Sequence, residues 1–356
     1  TGRGSAAATP RCAVPASRAG GGGLEGGGGR PSLARPTRGA VTTPTVVIAL
    51  GGNALAPPGE RPTITNQFRH TLESLASVVE LARLGCNIAV VHGNGPQVGD
   101  SLARNEIAAK AIEPLPLGVL VAETAGWIGY MIQQSLQNAL ERSGIRRDVV
   151  TVITQTVVSP DDPRLRTPHK PIGHALTGAR LEELKRRGIA VTKGGPGKAR
   201  RLTASPLPTG IVERDVVRRL VGAGTIVVTA GGGGPPVYRH ASLGWEGVDA
   251  VVDKDRTAAI LARALDAELL LILTNVDAVY RDFGTPQARP IRRMSAAEAR
   301  ALLDAGQLEE GSIRPKVEAA LSFVESGGGR ATIAELGEGP AAMRGETGTT
   351  IVAEGQ

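Results

Sequence analysis

Three times in this chain an uninterrupted aliphatic run meets a glycine turn, and these junctions constrain the fold more than any other feature. Val46 to Leu50 runs into Gly51-Gly52-Asn53, Ile88 to His92 into Gly93-Asn94-Gly95-Pro96-Gln97-Val98-Gly99, and Ile226 to Ala230 into Gly231-Gly232-Gly233-Gly234. Glycine turns with positive φ and puts no Cβ between the backbone amides and a ligand, so such an edge can crowd N–H donors around an anion. Where the turn opens a helix, the unpaired amides and the positive dipole end add to the attraction. In an open parallel sheet these turns lie at the carboxyl ends of the strands, where ligands collect. One such edge can be a plain tight turn; three with Asn or Gln attached point to a single phosphate-handling crevice.

The chain of 356 residues is long enough to bury a substantial core, and with 2% aromatic content that core must be built from Ala, Val, Leu and Ile. The formal charge of +7 owes much to Arg3, Arg11, Arg18, Arg30, Arg35 and Arg38, in a tail whose only acid is Glu25. Beyond the tail the charge is nearly balanced, which argues against a nucleic-acid partner. The 2 cysteines, Cys12 and Cys86, exclude a disulfide framework and a four-cysteine zinc site and fit a reducing compartment. Every apolar run is interrupted by Gly, Pro or charge before it reaches the length of a membrane span.

Residues 1–42, rich in Gly, Ala, Ser, Pro and Arg, read as a disordered extension. Their acid-poor composition also fits an organelle transit peptide or a start assigned too far upstream. From Thr45 the chain alternates aliphatic runs with helical patterns, the signature of a doubly wound α/β sheet. Helices are expected over about 66–84, 98–110 and 119–140, from Asp255, and near 295–304 and 315–325; strands over 149–157, 226–229, 250–252 and 269–273, and near Ala331 and Thr349. Residues 159–208 break the rhythm with Pro160, Pro163, Pro168, Pro171, Pro196, Pro206 and Pro208 around a charged helix near 178–188, and read as an insertion or lid on a domain spanning 43–356.

Standard nucleotide motifs are missing. Gly197-Lys198-Ala199 fails the P-loop pattern at both its first glycine and its hydroxyl, the dinucleotide pattern is missed by one residue at Gly93, Gly95 and Gly99, and Asp282-Phe283-Gly284 lacks the catalytic loop of a protein kinase. The lysines carry independent information, because the chain uses Arg by default. Lys170 is framed by Pro168 and Pro171, Lys254 closes the expected strand 250–252 between Asp253 and Asp255, and Lys316 begins a helix after Arg314-Pro315. A compact, mobile ammonium suits a phosphoryl group that moves and changes charge during reaction. Asp253-Lys254-Asp255 can be a helix cap with a solvated ion pair, or can hold Mg²⁺ or orient the lysines. His92 reads as a strand-end core residue, and His70, His174 and His240 have no zinc-ligand spacing.

Together, Leu50-Gly51-Gly52-Asn53-Ala54-Leu55, His92-Gly93-Asn94-Gly95-Pro96-Gln97-Val98-Gly99, Lys170-Pro171-Ile172-Gly173, Gly231-Gly232-Gly233-Gly234, Val252-Asp253-Lys254-Asp255 and Pro315-Lys316-Val317-Glu318-Ala319-Ala320 resemble carbamate kinase, of the amino-acid kinase superfamily. The resemblance covers about Thr45 to Val352. Asn275-Val276-Asp277 stands closer to other superfamily kinases, a departure that bears on the nucleotide pocket. The short distance from glycine edge to helix leaves a related kinase for another small carboxylate as the alternative enzyme, and a catalytically silent ligand sensor is the alternative from another class. The resemblance implies a three-layer αβα sandwich with a mostly parallel sheet, a protruding subdomain at 159–208, and a cytoplasmic homodimer. It further implies reversible transfer between ATP and carbamate, giving ADP and carbamoyl phosphate, with Mg²⁺ carried by the nucleotide phosphates, often run toward ATP in arginine breakdown. Gly51, Gly52, Asn53, Gly93, Asn94, Gly95, Gly232 and Gly233 are the implied contacts for carbamate and phosphate, and Lys254, Asn275, Tyr280 and Lys316 those for nucleotide. Lys170, Lys254, Asp255 and Lys316 are the implied catalytic set, with Lys170 reaching in from the subdomain and Asp255 organising the lysines.

Overall fold

The computed structural model describes residues 43–52, 55–56, 60, 63–308 and 313–355; the expectations for the tail 1–42 and for Asn53 lie outside them. In chain order the first elements are β1 (Thr45–Leu50), α1 (Ile64–Ser74), α2 (Ala76–Arg83), β2 (Asn87–His92), α3 (Gly95–Ala108), α4 (Leu117–Arg142), β3 (Val149–Val152), β4 (Thr156–Val158), β5 (Lys170–Ile172) and α5 (Gly178–Arg186). There follow β6 (Arg201–Thr203), β7 (Pro208–Ile211), α6 (Arg214–Gly222), β8 (Ile226–Thr229), β9 (Pro236–His240), β10 (Gly244–Gly247), α7 (Lys254–Ala264) and β11 (Leu269–Thr274). The last are β12 (Val279–Arg281), β13 (Arg289–Ile291), β14 (Arg293–Ser295), α8 (Ala296–Asp304), α9 (Arg314–Glu325), β15 (Arg330–Glu335), α10 (Gly339–Met343) and β16 (Thr349–Val352).

Eight strands form the central sheet in the order β14-β16-β15-β11-β1-β2-β8-β3, and every neighbouring pair is parallel except β15 with β16. Successive side chains of a strand point to opposite faces. Val47, Ala49, Ala89 and Val91 therefore join the core beneath α6, α7, α8 and α9, and Val46, Ile48, Leu50, Ile88 and Val90 the core beneath α2, α4 and α10. Covering both faces with helices gives the expected three-layer αβα sandwich. The two cores are almost wholly aliphatic, with Phe323 the largest fully buried side chain.

Because β1, β2 and β8 are adjacent and parallel, their three glycine turns come side by side at one end of the sheet. Outside the main sheet, β4, β7, β9 and β10 form a second sheet, and β5 pairs antiparallel with β6, Lys170 opposite Thr203 and Ile172 opposite Arg201. The β5–α5–β6 unit occupies the proline-rich stretch.

Three expected elements differ. The helix over 66–84 is two, α1 and α2, because the Leu75 amide bonds the Leu72 carbonyl and tightens one turn. The strand over 149–157 splits between sheets, since Thr154 and Gln155 bond Ala230 and Glu213 in place of a strand neighbour. Residues 250–252 are no strand: the Val251 amide reaches the Ala204 carbonyl as an isolated bond, and full burial alone gives this loop its apolar run. Lys254 accordingly opens α7 rather than closing a strand.

Candidate active site

The glycine edges are tied to one another by backbone. The Gly93 amide donates to the Leu50 carbonyl (3.0 Å) and the Gly51 amide to the Leu273 carbonyl (3.1 Å), so the turns after β1 and β2 are set by the strands beside them. At the third edge Gly232 has φ 67°, and a Cβ there would lie 2.2 Å from Asn94 Nδ2; no other residue lets this turn close over Asn94. The Asn94 amide is held in turn by α4. Thr124 Oγ1 donates to main-chain carbonyls of its own helix at Leu120 and Val121, so it accepts from Asn94 Nδ2 at 2.9 Å, which fixes the orientation of the amide. With its side chain engaged there, Asn94 gives no side-chain cap to α3, whose first turn faces the cleft.

Opposite the glycines stands a cluster of lysines and carboxylates. Asp253 caps α7 with Oδ1, accepting from the amides of Asp255 (3.0 Å) and Arg256 (3.2 Å), while its Oδ2 holds Lys170 Nζ at 2.6 Å. Asp255, two residues past the cap in the first turn of α7 and 3% exposed, takes Lys254 Nζ on Oδ1 (2.5 Å) and Lys316 Nζ on Oδ2 (3.2 Å). Lys316 comes from the first turn of α9, which Pro315 opens. Burial opposes charge on both carboxylates, but the facing lysines outweigh it and hold both below the usual carboxylate range. Burial and the neighbouring Lys316 pull Lys254 below an ordinary lysine, against the pull of Asp255; Lys316 is also opposed by burial, yet Asp255 and Asp253 leave it raised. Three ammonium groups against these two carboxylates leave the cluster in positive excess.

Between the two walls lies a cleft of about 480 Å³ lined by Gly51, Gly52, Gly93, Asn94, Gly95, Gly232, Lys170, Lys254, Asp255, Asn275 and Lys316. Every one of these was named from sequence. Gly233 sits behind the wall, its carbonyl accepting from the Thr156 and Thr257 hydroxyls. Tyr280 is on β12, not among the cleft residues, and its hydroxyl donates to Asp277. Sequence reasoning missed Arg200, Thr274 and Glu335, which also line the cleft, and Thr124, which steadies Asn94. His92 is a core residue as expected: it is 1% exposed, its Nδ1 lies 3.0 Å from the Gly93 carbonyl, and burial pushes its pKa down to about 4.

Two of the readings of Asp253-Lys254-Asp255 meet in this geometry, since Asp253 caps α7 and both carboxylates hold lysines. All four of their oxygens already accept bonds from lysines or from helix amides, and no group of three or more His, Cys, Asp or Glu able to hold a metal occurs among the described residues. The pair is built to orient ammonium groups. The donor set fits a magnesium ion carried on phosphate oxygens rather than one caged by protein. No helix of the described residues is long and apolar enough to cross a membrane.

The sequence profile of the amino acid kinase family matches residues 44–335. A carbamate kinase of Pyrococcus horikoshii is 39% identical over 309 residues, which cover 86% of this chain and 98% of that protein. The carbamate kinase-like protein YahI of Escherichia coli is 41% identical over 313 residues, again 86% of this chain and 98% of that protein. A solved structure of carbamate kinase from Giardia lamblia bound to AMP-PNP aligns with a TM-score of 0.80 at 32% identity, over 88% of this chain and 99% of that one.

Proposed function

The chain belongs to the amino acid kinase family, within its carbamate kinase branch, and from that premise we propose that it moves a phosphoryl group reversibly between ATP and carbamate, giving ADP and carbamoyl phosphate. The observation that carries the reading is the arrangement of Lys170, Lys254 and Lys316 on the partly buried Asp253 and the buried Asp255, facing three adjacent glycine turns across one cleft. Phosphoryl transfer asks for in-line positioning and charge neutralisation and needs no covalent nucleophile, which is what this cleft offers.

A carbamate oxygen attacks the terminal phosphorus of ATP and the bond from that phosphorus to the bridging oxygen breaks, leaving ADP. The amides of the glycine turns and the first turn of α3 surround the transferred group. Lys170, delivered by β5, neutralises charge on it from one side, and Lys254 and Lys316 do so on the nucleotide phosphates. Asp253 and Asp255 keep those ammonium groups in place before substrate arrives, so little reorganisation remains for the reaction itself. A magnesium ion arriving with the nucleotide would add further neutralisation beside Lys254 and Lys316. We place Asn275 beside the nucleotide, assign residues 159–208 to a subdomain that forms one side of the cleft, and place the reaction in the cytoplasm as an ATP-forming step of arginine breakdown.

Lys170→Ala and Lys316→Ala test the assignment. Each is expected to lose about 10²- to 10³-fold in turnover, the scale on which one charge-stabilising donor acts, with a circular dichroism spectrum like the wild type. Wild-type rates in both would refute these roles.

A further inference from the structure

Glu106 lies on α3 well away from the cleft, and no step of the transfer uses it. Its side chain is 12% exposed and is met by three arginines, all from residues 159–208: Arg180 and Arg187, from α5 and its C-terminal end, and Arg201 of β6. Arg201 Nη1 is 2.7 Å from Oε1, Arg187 Nη2 is 3.2 Å from the same oxygen, and Arg180 bonds Oε2. Arg180 is braced further by Glu183 at 2.6 Å. One carboxylate shared by three guanidinium groups from two elements is a fastening point, since its loss leaves three like charges facing one another.

What it fastens is the unit that delivers Lys170. Ile172 of β5 lies opposite Arg201 of β6, and Lys170 opposite Thr203, so fixing Arg201 fixes the ladder that carries Lys170. Arg200, next to Arg201 in the chain, lines the cleft. Neighbouring side chains on an extended segment point to opposite sides, which accounts for one arginine at the clamp and one in the cleft. Nearer the site, the same helix α3 is docked to this unit by backbone, the Gly173 amide donating to the Gly95 carbonyl at 2.9 Å, by the packing of Val98 and Leu102 on Ile172, and by Asp100, 3.4 Å from the half-exposed His174. The unit is thus held at several places along α3, and the one farthest from the cleft, which gathers three arginines, rests on Glu106.

We propose that Glu106 is a positioning residue for phosphoryl transfer, clamping Arg180, Arg187 and Arg201 so that β5 holds Lys170 over the cleft. The inference rests on the carbamate kinase reading for its activity readout, and its second readout is independent of that reading.

Glu106→Gln removes the charge and keeps the shape. Turnover is expected to fall about 10- to 100-fold, the range that misplacement of a reacting group by about 1 Å produces, and Glu106→Asp to recover part of it. In a Lys170→Ala background Glu106→Gln should cost little more, because the two act through one group. Hydrogen–deuterium exchange should rise across residues 166–203 and stay unchanged in β1, β2 and β11. Arg180→Gln, which breaks the clamp from the other side, should reproduce the pattern. Unaltered turnover in Glu106→Gln, or a loss that adds in full to that of Lys170→Ala, would overturn the proposal. If the wild-type protein transfers no phosphoryl group, the functional reading falls, and exchange alone decides the clamp: unchanged protection of residues 166–203 in both variants would refute it.

Discussion

At the scale of the residue, the site depends on Asp255, one buried carboxylate between two ammonium groups. Asp255→Asn keeps the shape and removes the charge both lysines face, and removing one partner of a buried ionic group costs about 3–5 kcal/mol; chemical denaturation should show a loss on that scale. His92 makes a second prediction. Its folded pKa of about 4 lies below the ordinary 6.5, so the unfolded chain takes up the proton first. The stability this confers is complete above pH 6.5 and is lost as pH falls toward 4, about 3 kcal/mol in all. Urea midpoints at pH 7.5 and 4.5 should therefore differ more for the wild type than for His92→Gln, and equal differences would count against the shift. The lysines were legible in the sequence because lysine is rare here and each stands at the edge of an element. Thr124 and Glu106 were not: one is a polar residue inside a helical run, and the partners of the other are 74 to 95 positions away.

At the scale of the element, the contact between α3 and β5 fixes how near Lys170 comes to the glycine turns. The two pass so closely at Gly99 and Gly173 that a Cβ on Gly99 would lie 2.1 Å from the Gly173 Cα. Both atoms are backbone, so nothing can give except the spacing of the elements. Gly99→Ala is expected to cost about 1–3 kcal/mol by overpacking and to lower turnover more than it lowers melting temperature, because the displaced element carries Lys170. Comparing thermal denaturation with turnover for this variant checks it; turnover preserved with the fold intact would place Lys170 outside the reaction. Glycine counts and aliphatic runs made the strands β1, β2, β8 and β11 readable. The loop at 250–252 was misread for a physical reason: burial selects apolar residues whether or not the backbone forms a ladder, and its contacts to residue 204 come from a distant part of the chain.

At the scale of the whole molecule, the eight-stranded sheet serves to bring three turns from β1, β2 and β8 to one edge and to set α7 and α9 against them. The family profile begins at residue 44 and the described fold at 43, so a chain starting at Thr43 is expected to keep turnover within about twofold of the full chain; a larger loss would give residues 1–42 a part in the reaction. We also propose that two copies associate, which light scattering tests. The three-layer architecture was legible because alternating strand and helix patterns admit few topologies. The second sheet, with β9 and β10, was not, since those strands are short, polar and half exposed. The central claim is that this cleft transfers a phosphoryl group to and from carbamate. It is tested most directly by measuring ATP formation from ADP, magnesium and carbamoyl phosphate, with acetyl phosphate and N-acetylglutamyl phosphate as rival donors. Rapid ATP formation from carbamoyl phosphate alone is the predicted result; no turnover of it, with turnover of another acyl phosphate, would keep the fold and contradict the substrate.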